Sequence, residues 1–469
     1  MKTVLENESL DVKLEPSDWR YSAAVLGLVR YFRHYEDLGE NIEYEQKNDY
    51  IKYKQSDITE ERYLKFAESH YKGEFHHVII ERILSDDEIS EEQTKLVNEK
   101  LTANKIMKEI FGKMKFDGNN KVQILDLINE NRSSIIKETF RNKSNMYKNY
   151  CNPNLLLGQK HDECCRLNGY YVDAGKKGKS IAYNFNPNTH ITNDEDIFDF
   201  IPFAFTEGRE AFFINDNSSI ENLLYSNDML SFNVSHAIET KSGQKDVRRI
   251  LFAGIIESTD FIDFDVEVII KNRDVEYFET LYIRKRAIEI LKKVRDYNVF
   301  CFSYKVNENY YINIGNEVVN YILNNLLLDK YIEMFLKLDD NSYLKSNFIA
   351  YLINQFININ MLIKNKKGKG GGTMNKSMYT ALKSAEKVAD SIETNKLKSY
   401  RQKLTSAIVF KDYDRACQIL LQLSNFSGVS FEFVYDLYED FEENKEVAYT
   451  FINALRKEQG KVEGDKTNE

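Results

Sequence analysis

Along this chain the spacing of hydrophobic positions changes several times, and each change marks a different kind of structure. After Pro16-Ser17, the run Trp19 to Val29 is apolar nearly all round, which predicts a buried helix capped by Ser17 and stopped at Gly39. Asn41 to Ile80 mixes short Tyr-rich strands with a helix at Glu60 to Ser69, and Glu88 to Glu138 reads as helical and polar. From Tyr150 to Ile270, Gly, Asn and Asp punctuate short aromatic and β-branched runs, the texture of strands and loops. Two strands are expected near its end, Ile250 to Ile256 and Phe261 to Ile270. In the second, Phe261, Asp263, Asp265 and Glu267 alternate with Ile262, Phe264, Val266 and Val268, giving one largely acidic face and one apolar face.

Helical spacing resumes at Val275 to Tyr297 and dominates from Glu317. The apolar run Phe348 to Ile363 is too short, and too interrupted by Asn and Gln, to span a bilayer, so it reads as a buried helix. A Lys/Gly-rich stretch, Lys364 to Thr373, then forms the clearest linker in the chain. Beyond it Met378, Ala381, Leu382, Ala385, Val388, Ala389 and Ile392 line one helical face. Further helices are expected at Leu397 to Phe410, Tyr413 to Leu423 and Phe431 to Leu455, the pattern of an antiparallel bundle. The expected fold is therefore multi-domain α+β: a mixed body over 1–363, a linker over 364–373, an all-α bundle over 374–458 and a disordered tail over 459–469.

Composition narrows the function. A chain of 469 residues with 42% hydrophobic and 29% charged residues is globular and long enough for two or three domains. Five Cys in such a length do not describe a disulfide framework, and the start Met1-Lys2-Thr3-Val4 has no signal-peptide pattern, so a reducing cytoplasm and no membrane are expected. A net charge of −10 excludes a protein that coats nucleic acid over its whole surface; any such binding must be a patch.

One patch stands out. Lys364 to Lys411 holds 12 Lys or Arg against 3 Asp or Glu, whereas Asp412 to Glu446 holds 9 acidic against 2 basic residues. On the first bundle helix Lys376, Lys383 and Lys387 share a face opposite the apolar stripe; Lys398, Arg401 and Lys403 follow on the second. Such faces suit either a phosphate backbone, gripped without reading sequence, or plain solvation. The glycine run carries a second message through the genetic code. Lys369 to Met374, read as AAR GGN GGN GGN ACN ATG, contains a ribosome-binding sequence when purines fill the wobble positions, so Met374 is either an internal start for a separate small protein or merely follows a hinge.

Two segments, Asp18 to Leu28 and Phe200-Ile201-Pro202-Phe203-Ala204-Phe205, together with the helical C-terminal module, resemble the large subunit of type I-B CRISPR Cascade complexes, the Cas eight-b family of the Cst type. The resemblance covers most of the chain through diffuse motifs. It implies a non-catalytic subunit that contacts the protospacer-adjacent motif in duplex DNA and helps start the R-loop while a crRNA guide reads the target. Its implied partners are crRNA, target double-stranded DNA with its displaced single strand, the Cascade backbone subunits and a recruited helicase-nuclease. It also implies that the C-terminal bundle is similar to the free small subunit, which internal translation can supply.

Four further sites are weighed on the residues. Asn233 to Arg249, with Asn233, Lys241, Gln244, Lys245, Arg248 and Arg249, reads either as a motif-reading loop or as a solvated hairpin. Gly175 to Ser180, carrying Lys176, Lys177 and Lys179, lacks the glycine spacing of a nucleotide-hydrolysing loop and is either a backbone-gripping hairpin or an exposed turn. Cys151, His161, Cys164 and Cys165 depart from the paired Cys-x-x-Cys units of relatives with a zinc knuckle, so a degenerate zinc site is expected and otherwise no cofactor. Asp260, Asp263, Asp265 and Glu267 are the best enzymatic alternative, a metal-dependent nuclease, against a plain solvated strand.

Overall fold

A computed structural model describes residues 1–5, 9–160, 165–170, 194–239, 265–294, 297–338, 344–365 and 375–456, with side chains placed except at 236–239 and 297–298. The chain is mixed α+β and divides into two compact units, Met1–Lys285 and Arg286–Glu469.

In the first unit β1 (Lys2–Val4) and β2 (Val12–Leu14) precede helix α1 (Trp19–Asp37), and β3 (Tyr44–Gln46) and β4 (Ile51–Tyr53) complete an antiparallel sheet in the order β1-β2-β4-β3. The helix is capped by Asp18, whose carboxylate accepts from the Arg20 amide at 2.8 Å; Ser17, the expected cap, instead receives the amino terminus at 2.9 Å. Gly39, at φ +73°, follows the helix end as expected. Ser22 to Val29 are all buried, so α1 has core on every side. One flank is the 3-10 helix Asp196–Ala204, against which α1 lies so closely that a Cβ on Gly27 would sit 2.1 Å from the Phe200 carbonyl oxygen. Phe203 from that 3-10 helix stacks on Phe140 at 5.6 Å and meets Phe66 at 4.7 Å.

Helices α2 (Glu60–His70), α3 (His76–Leu84), α4 (Glu91–Lys100), α5 (Lys105–Phe111), α6 (Lys121–Asn142) and α7 (Tyr147–Tyr150) follow. The α3 to α6 group closes a satellite core around Ile80, Val97, Met107, Ile124 and Ile128. Further on, β5 (Glu210–Asn215), helix α8 (Ile220–Glu239), β6 (Val266–Asn272) and β7 (Glu279–Ile283) supply an antiparallel sheet with β6 in the centre, pairing Phe212 with Ile270 and Val266 with Ile283. Two expectations are corrected here. Helix α8 lies where strands and loops were predicted, because its apolar positions Ile220, Leu223, Leu224, Leu230 and Val234 keep helical spacing among polar residues. Part of the predicted helix Val275 to Tyr297 is strand β7, held by pairing to β6 that no local periodicity reveals.

Among the described residues the second unit contains α9 (Lys285–Lys293), which begins at the boundary, the hairpin β8 (Ser303–Lys305) and β9 (Tyr311–Asn313), and the helices α10 (Ile314–Leu323), α11 (Asp329–Leu336), α12 (Ser346–Ile363), α13 (Lys376–Ser391), α14 (Thr394–Val409), α15 (Tyr413–Ser427), α16 (Val434–Glu439) and α17 (Lys445–Ala454). The helix expected over Phe431 to Leu455 is thus two, interrupted where the Asn444 side chain bonds back to the Asp436 and Asp440 carbonyls at 3.0 Å each. Every residue from Lys445 to Asn453 is buried. Helix α17 reaches back across the Lys/Gly-rich stretch: the Tyr449 hydroxyl donates to Glu333 at 2.8 Å and the Asn453 amide to the Ala350 carbonyl at 2.9 Å. Lys364, counted in the linker, instead follows α12 and pairs with buried Glu446 at 2.9 Å. The helices described before and after that stretch belong to one compact unit that starts at Arg286. Among the described residues no helix is long and apolar enough to cross a membrane.

Candidate nucleic-acid interface

Helix α13 starts where the Asn375 side chain accepts from the Met378 amide at 2.8 Å. Met378, Ala381, Ala385, Val388 and Ala389 are buried, which turns Lys376, Lys383 and Lys387 to solvent as their spacing predicts. Lys383 pairs with Glu386 at 2.7 Å and lies 6.0 Å from the ring of exposed Tyr379. Its pKa is raised by the Glu386 hydrogen bond, so it carries full charge at neutral pH.

Helix α14 buries Leu397, Leu404, Thr405, Ala407 and Ile408 and presents cations on two other faces. On one, Lys396, Tyr400 and Lys403 recur at helical spacing; Lys396 lies 4.8 Å from the ring of exposed Phe426 on α15, Lys403 lies 5.7 Å from the Tyr400 ring, and the two rings are 6.2 Å apart. Cations interleaved with accessible rings are what a single strand needs: charge for phosphate and a π-face for each base. On the other face, Lys398, Arg401 and Gln402 enter a pocket of about 480 Å³. Its further walls are Lys337 at the end of α11, Asn347 at the start of α12 and Arg456 after α17, and its floor includes buried Leu336, Leu397 and Leu455. Arg456 also donates to the Ser346 carbonyl at 2.9 Å.

A family model described as CRISPR-associated protein Csx8 matches residues 10–455. The chain belongs to that family. Compared with curated proteins, it matches none. Membership makes this Csx8-family chain CRISPR-associated; it does not by itself single out the type I-B Cst group.

The cations expected on the bundle are thus found on its helices, but in more than one group. Lys376, Lys383 and Lys387 share one face, Lys403 belongs with Tyr400 and Phe426, and Lys398 and Arg401 turn into the pocket. Sequence reasoning missed Lys337 and Arg456, which only tertiary packing brings near α14, and passed over Lys396, Tyr400 and Phe426. The signal for Lys396, Tyr400 and Lys403 was present in their intervals of four and three.

Elsewhere in the Csx8-family chain the expected sites fare differently. Asn233 is a correction: it lies on helix α8, not in a loop, because the apolar spacing of that helix runs past it to Val234. Lys241, Gln244, Lys245, Arg248 and Arg249 lie outside the described residues, as do Lys176, Lys177, Lys179, Met374, His161, Cys164, Asp260 and Asp263. Cys151 and Cys165 are buried, and burial pushes both thiols upward, Cys165 to about 12, which opposes the thiolate a metal would need. Among the described residues no group of metal-ligating side chains forms. Of the acidic strand, Glu267 accepts from Asn215 at 2.6 Å and Tyr282 at 3.0 Å, and Asp265 accepts from the Lys285 amide at 2.9 Å, so both described carboxylates hold structure.

Proposed function

We propose that this protein is the large subunit of a crRNA-guided type I-B surveillance complex, gripping nucleic acid through the C-terminal helices of its second unit and performing no chemistry on it. The observation that carries the reading is the interleaving of Lys396, Lys403 and Lys383 with Tyr400, Phe426 and Tyr379 on a chain whose net charge is −10. Positive charge concentrated on a few helices of an acidic protein acts locally, and rings beside it add base stacking that an ordinary solvated lysine face does not offer. Family membership supplies the setting, a CRISPR-associated protein.

Within that setting the protein contacts the protospacer-adjacent motif in target duplex DNA, helps open and hold the R-loop against crRNA, docks on Cascade backbone subunits and recruits the helicase-nuclease. The gene also yields a second product from Met374, a small subunit beginning one residue before the Asn375 cap of α13. The decisive experiment measures target binding by the assembled complex after Lys383, Lys387, Lys396 and Lys403 are changed together to Gln. Binding should weaken and its dependence on salt become shallower, by about one in log–log slope per lost phosphate contact. Unchanged affinity and slope would remove the interface, and DNA cleavage by the isolated protein with magnesium or manganese would remove the non-catalytic assignment.

A further inference from the structure

The last bundle helices carry a charge pattern that the grip on nucleic acid does not use. From Ala416 to Asn444 there is neither lysine nor arginine, while Glu432, Asp436, Glu439, Asp440, Glu442 and Glu443 crowd the second half of that stretch. Helix α16 packs on α15, and the ring of Tyr413 at the start of α15 stacks at 4.5 Å on Phe441, just past the end of α16, so the two helices run antiparallel. That direction sets Tyr438 beside Cys417 and carries Leu421, one turn further along α15, toward Tyr435. Val434 and Leu437 are buried on the inner side of α16, whereas Tyr435 is 77% exposed and Tyr438 and Leu421 are each 49% exposed. Scattered singly, such side chains need no explanation; grouped on neighbouring turns of two helices, they mark an interaction surface.

The rim decides the kind of partner. Asp414 on α15, Glu432 just before α16 and Glu439 at its end are exposed, and their carboxylates hold no hydrogen bond or ion pair among the described residues. Carboxylates beside rings repel a phosphate backbone and attract a cation. Arginine answers both features, since its guanidinium pairs with a carboxylate and lies flat on a tyrosine ring. We propose that the α15–α16 face, Leu421, Tyr435 and Tyr438 rimmed by Asp414, Glu432 and Glu439, docks an arginine-bearing segment of another protein. The inference rests on the reading of this chain as a subunit of a larger complex and names the face by which its bundle is held there. The bundle then divides its work: cations on α13 and α14 meet polynucleotide, and α16 meets protein.

The test uses the full-length protein and a fluorescein-labelled amphipathic helical peptide of arginine and leucine, followed by anisotropy, with glutamate in place of arginine as the control peptide. Tyr435→Ser with Tyr438→Ser removes the rings and keeps every charge, and Glu432→Gln with Glu439→Gln removes charge and keeps the rings. Glu91→Gln with Glu92→Gln, both exposed on α4 of the first unit, changes the net charge equally elsewhere. Folding is checked by circular dichroism, and if the double tyrosine variant fails to fold, Tyr435→Ser alone takes its place at the most exposed of the three apolar positions. The tyrosine variant should bind the arginine peptide about tenfold more weakly at unchanged salt dependence. The α16 charge variant should bind it more weakly and with a shallower salt dependence, and the α4 variant should match the parent. Equal weakening by the two charge variants would show no more than attraction to an acidic protein and would overturn the face. So would a tyrosine variant that binds like the parent, or a glutamate peptide that binds as tightly as the arginine one. Self-association of the full-length protein in sedimentation, lost on Tyr435→Ser, would make a second copy the occupant and overturn the assignment to another protein. The peptide assay needs neither nucleic acid nor an assembled complex, so this face can fail while the wider reading stands, and the reverse.

Discussion

Buried Arg166 of the first unit and the exposed lysines on the C-terminal helices of the second use positive charge in opposite ways. In the first, Arg166 is wholly buried and its guanidinium meets Asp194 at 3.0 and 3.1 Å and Asp199 at 2.8 Å, with the carbonyls of Gly158 and Gln159 at 3.3 Å each. Asp199 is further held by the Tyr147 hydroxyl at 2.5 Å and the Leu157 amide at 2.8 Å. Burial opposes the charge on Arg166, but Asp199 and Asp194 outweigh it and keep the guanidinium pKa above its ordinary value. In the second unit Lys376, Lys383, Lys387, Lys396 and Lys403 stand in solvent on helices whose stability rests on their apolar stripes. The contrast teaches that a cation's role follows from what surrounds it: enclosed by carboxylates it organises a core, and set out beside accessible rings it is available to a partner.

The largest break in that contrast comes from Arg166→Met. It strips two buried carboxylates of the guanidinium they share, and removal of one partner from a buried ion pair costs about 3–5 kcal/mol. Urea unfolding of the variant should show a midpoint well below that of the parent, and Asp199→Asn should recover part of the loss in the double variant. An unchanged midpoint would mean that Arg166 is no organiser.

Next in size is the product that would start at Met374. It lacks α11 and α12, which supply Glu333 for Tyr449, Ala350 for Asn453, and Asp329 at 3.4 Å from Lys445, whose nearer partner Glu442 at 2.5 Å stays. Each buried polar group deprived of its partner costs about 1–3 kcal/mol. The amides of α17 should therefore exchange with solvent much faster in a 374–469 protein than in the full chain, by hydrogen exchange and mass spectrometry. Equal protection would show that the bundle from α13 onward is self-sufficient.

How much of this was legible in the sequence differs by region. The segments Asp18 to Leu28 and Phe200 to Phe205 stood out separately, and the structure joins them: Gly27 lets α1 touch the backbone at Phe200, so the two most recognisable pieces form one core. The face of α13 was readable because amphipathic period alone sets it. Helix α8 was not, since Asn222, Ser226, Asn227 and Asp228 look like turn residues; buried Asn227 in fact exchanges two hydrogen bonds with Ile214 of β5, both 2.8 Å. The pocket was illegible for a related reason. Lys337, Arg401 and Arg456 are distant in sequence, and only the packing of α11, α12, α14 and α17 assembles them.

Within any one pH unit a smaller effect is expected from acid, and it belongs to the first unit. His70 lies among Phe66, Tyr71 and Phe203, where burial, with help from Arg30 and His34, lowers its pKa from the usual 6.5 to about 3. The folded state thus refuses a proton that the unfolded chain accepts. Stability contributed by neutral His70 is complete above pH 6.5 and falls as pH drops toward 3, at up to about 1.4 kcal/mol per pH unit. His70→Gln cannot be protonated, so its unfolding midpoint should fall less steeply across that window. Parallel pH profiles would show that His70 takes no part.

The smallest effect is the most discriminating. Lys383 and Glu386 form an ion pair at 2.7 Å with both side chains 48% exposed, the kind of contact that water and salt screen almost completely. Lys383→Ala should leave the unfolding midpoint where it is, because alanine is at least as good a helix former and the apolar stripe of α13 is untouched. If the residue serves a polynucleotide, the same substitution lowers the salt slope of binding by about one and weakens it alike on every sequence tested. A stability change without a binding change would place Lys383 with Arg166, among cations that serve the fold, and would dissolve the distinction between the two units at the position where it is most exposed to test.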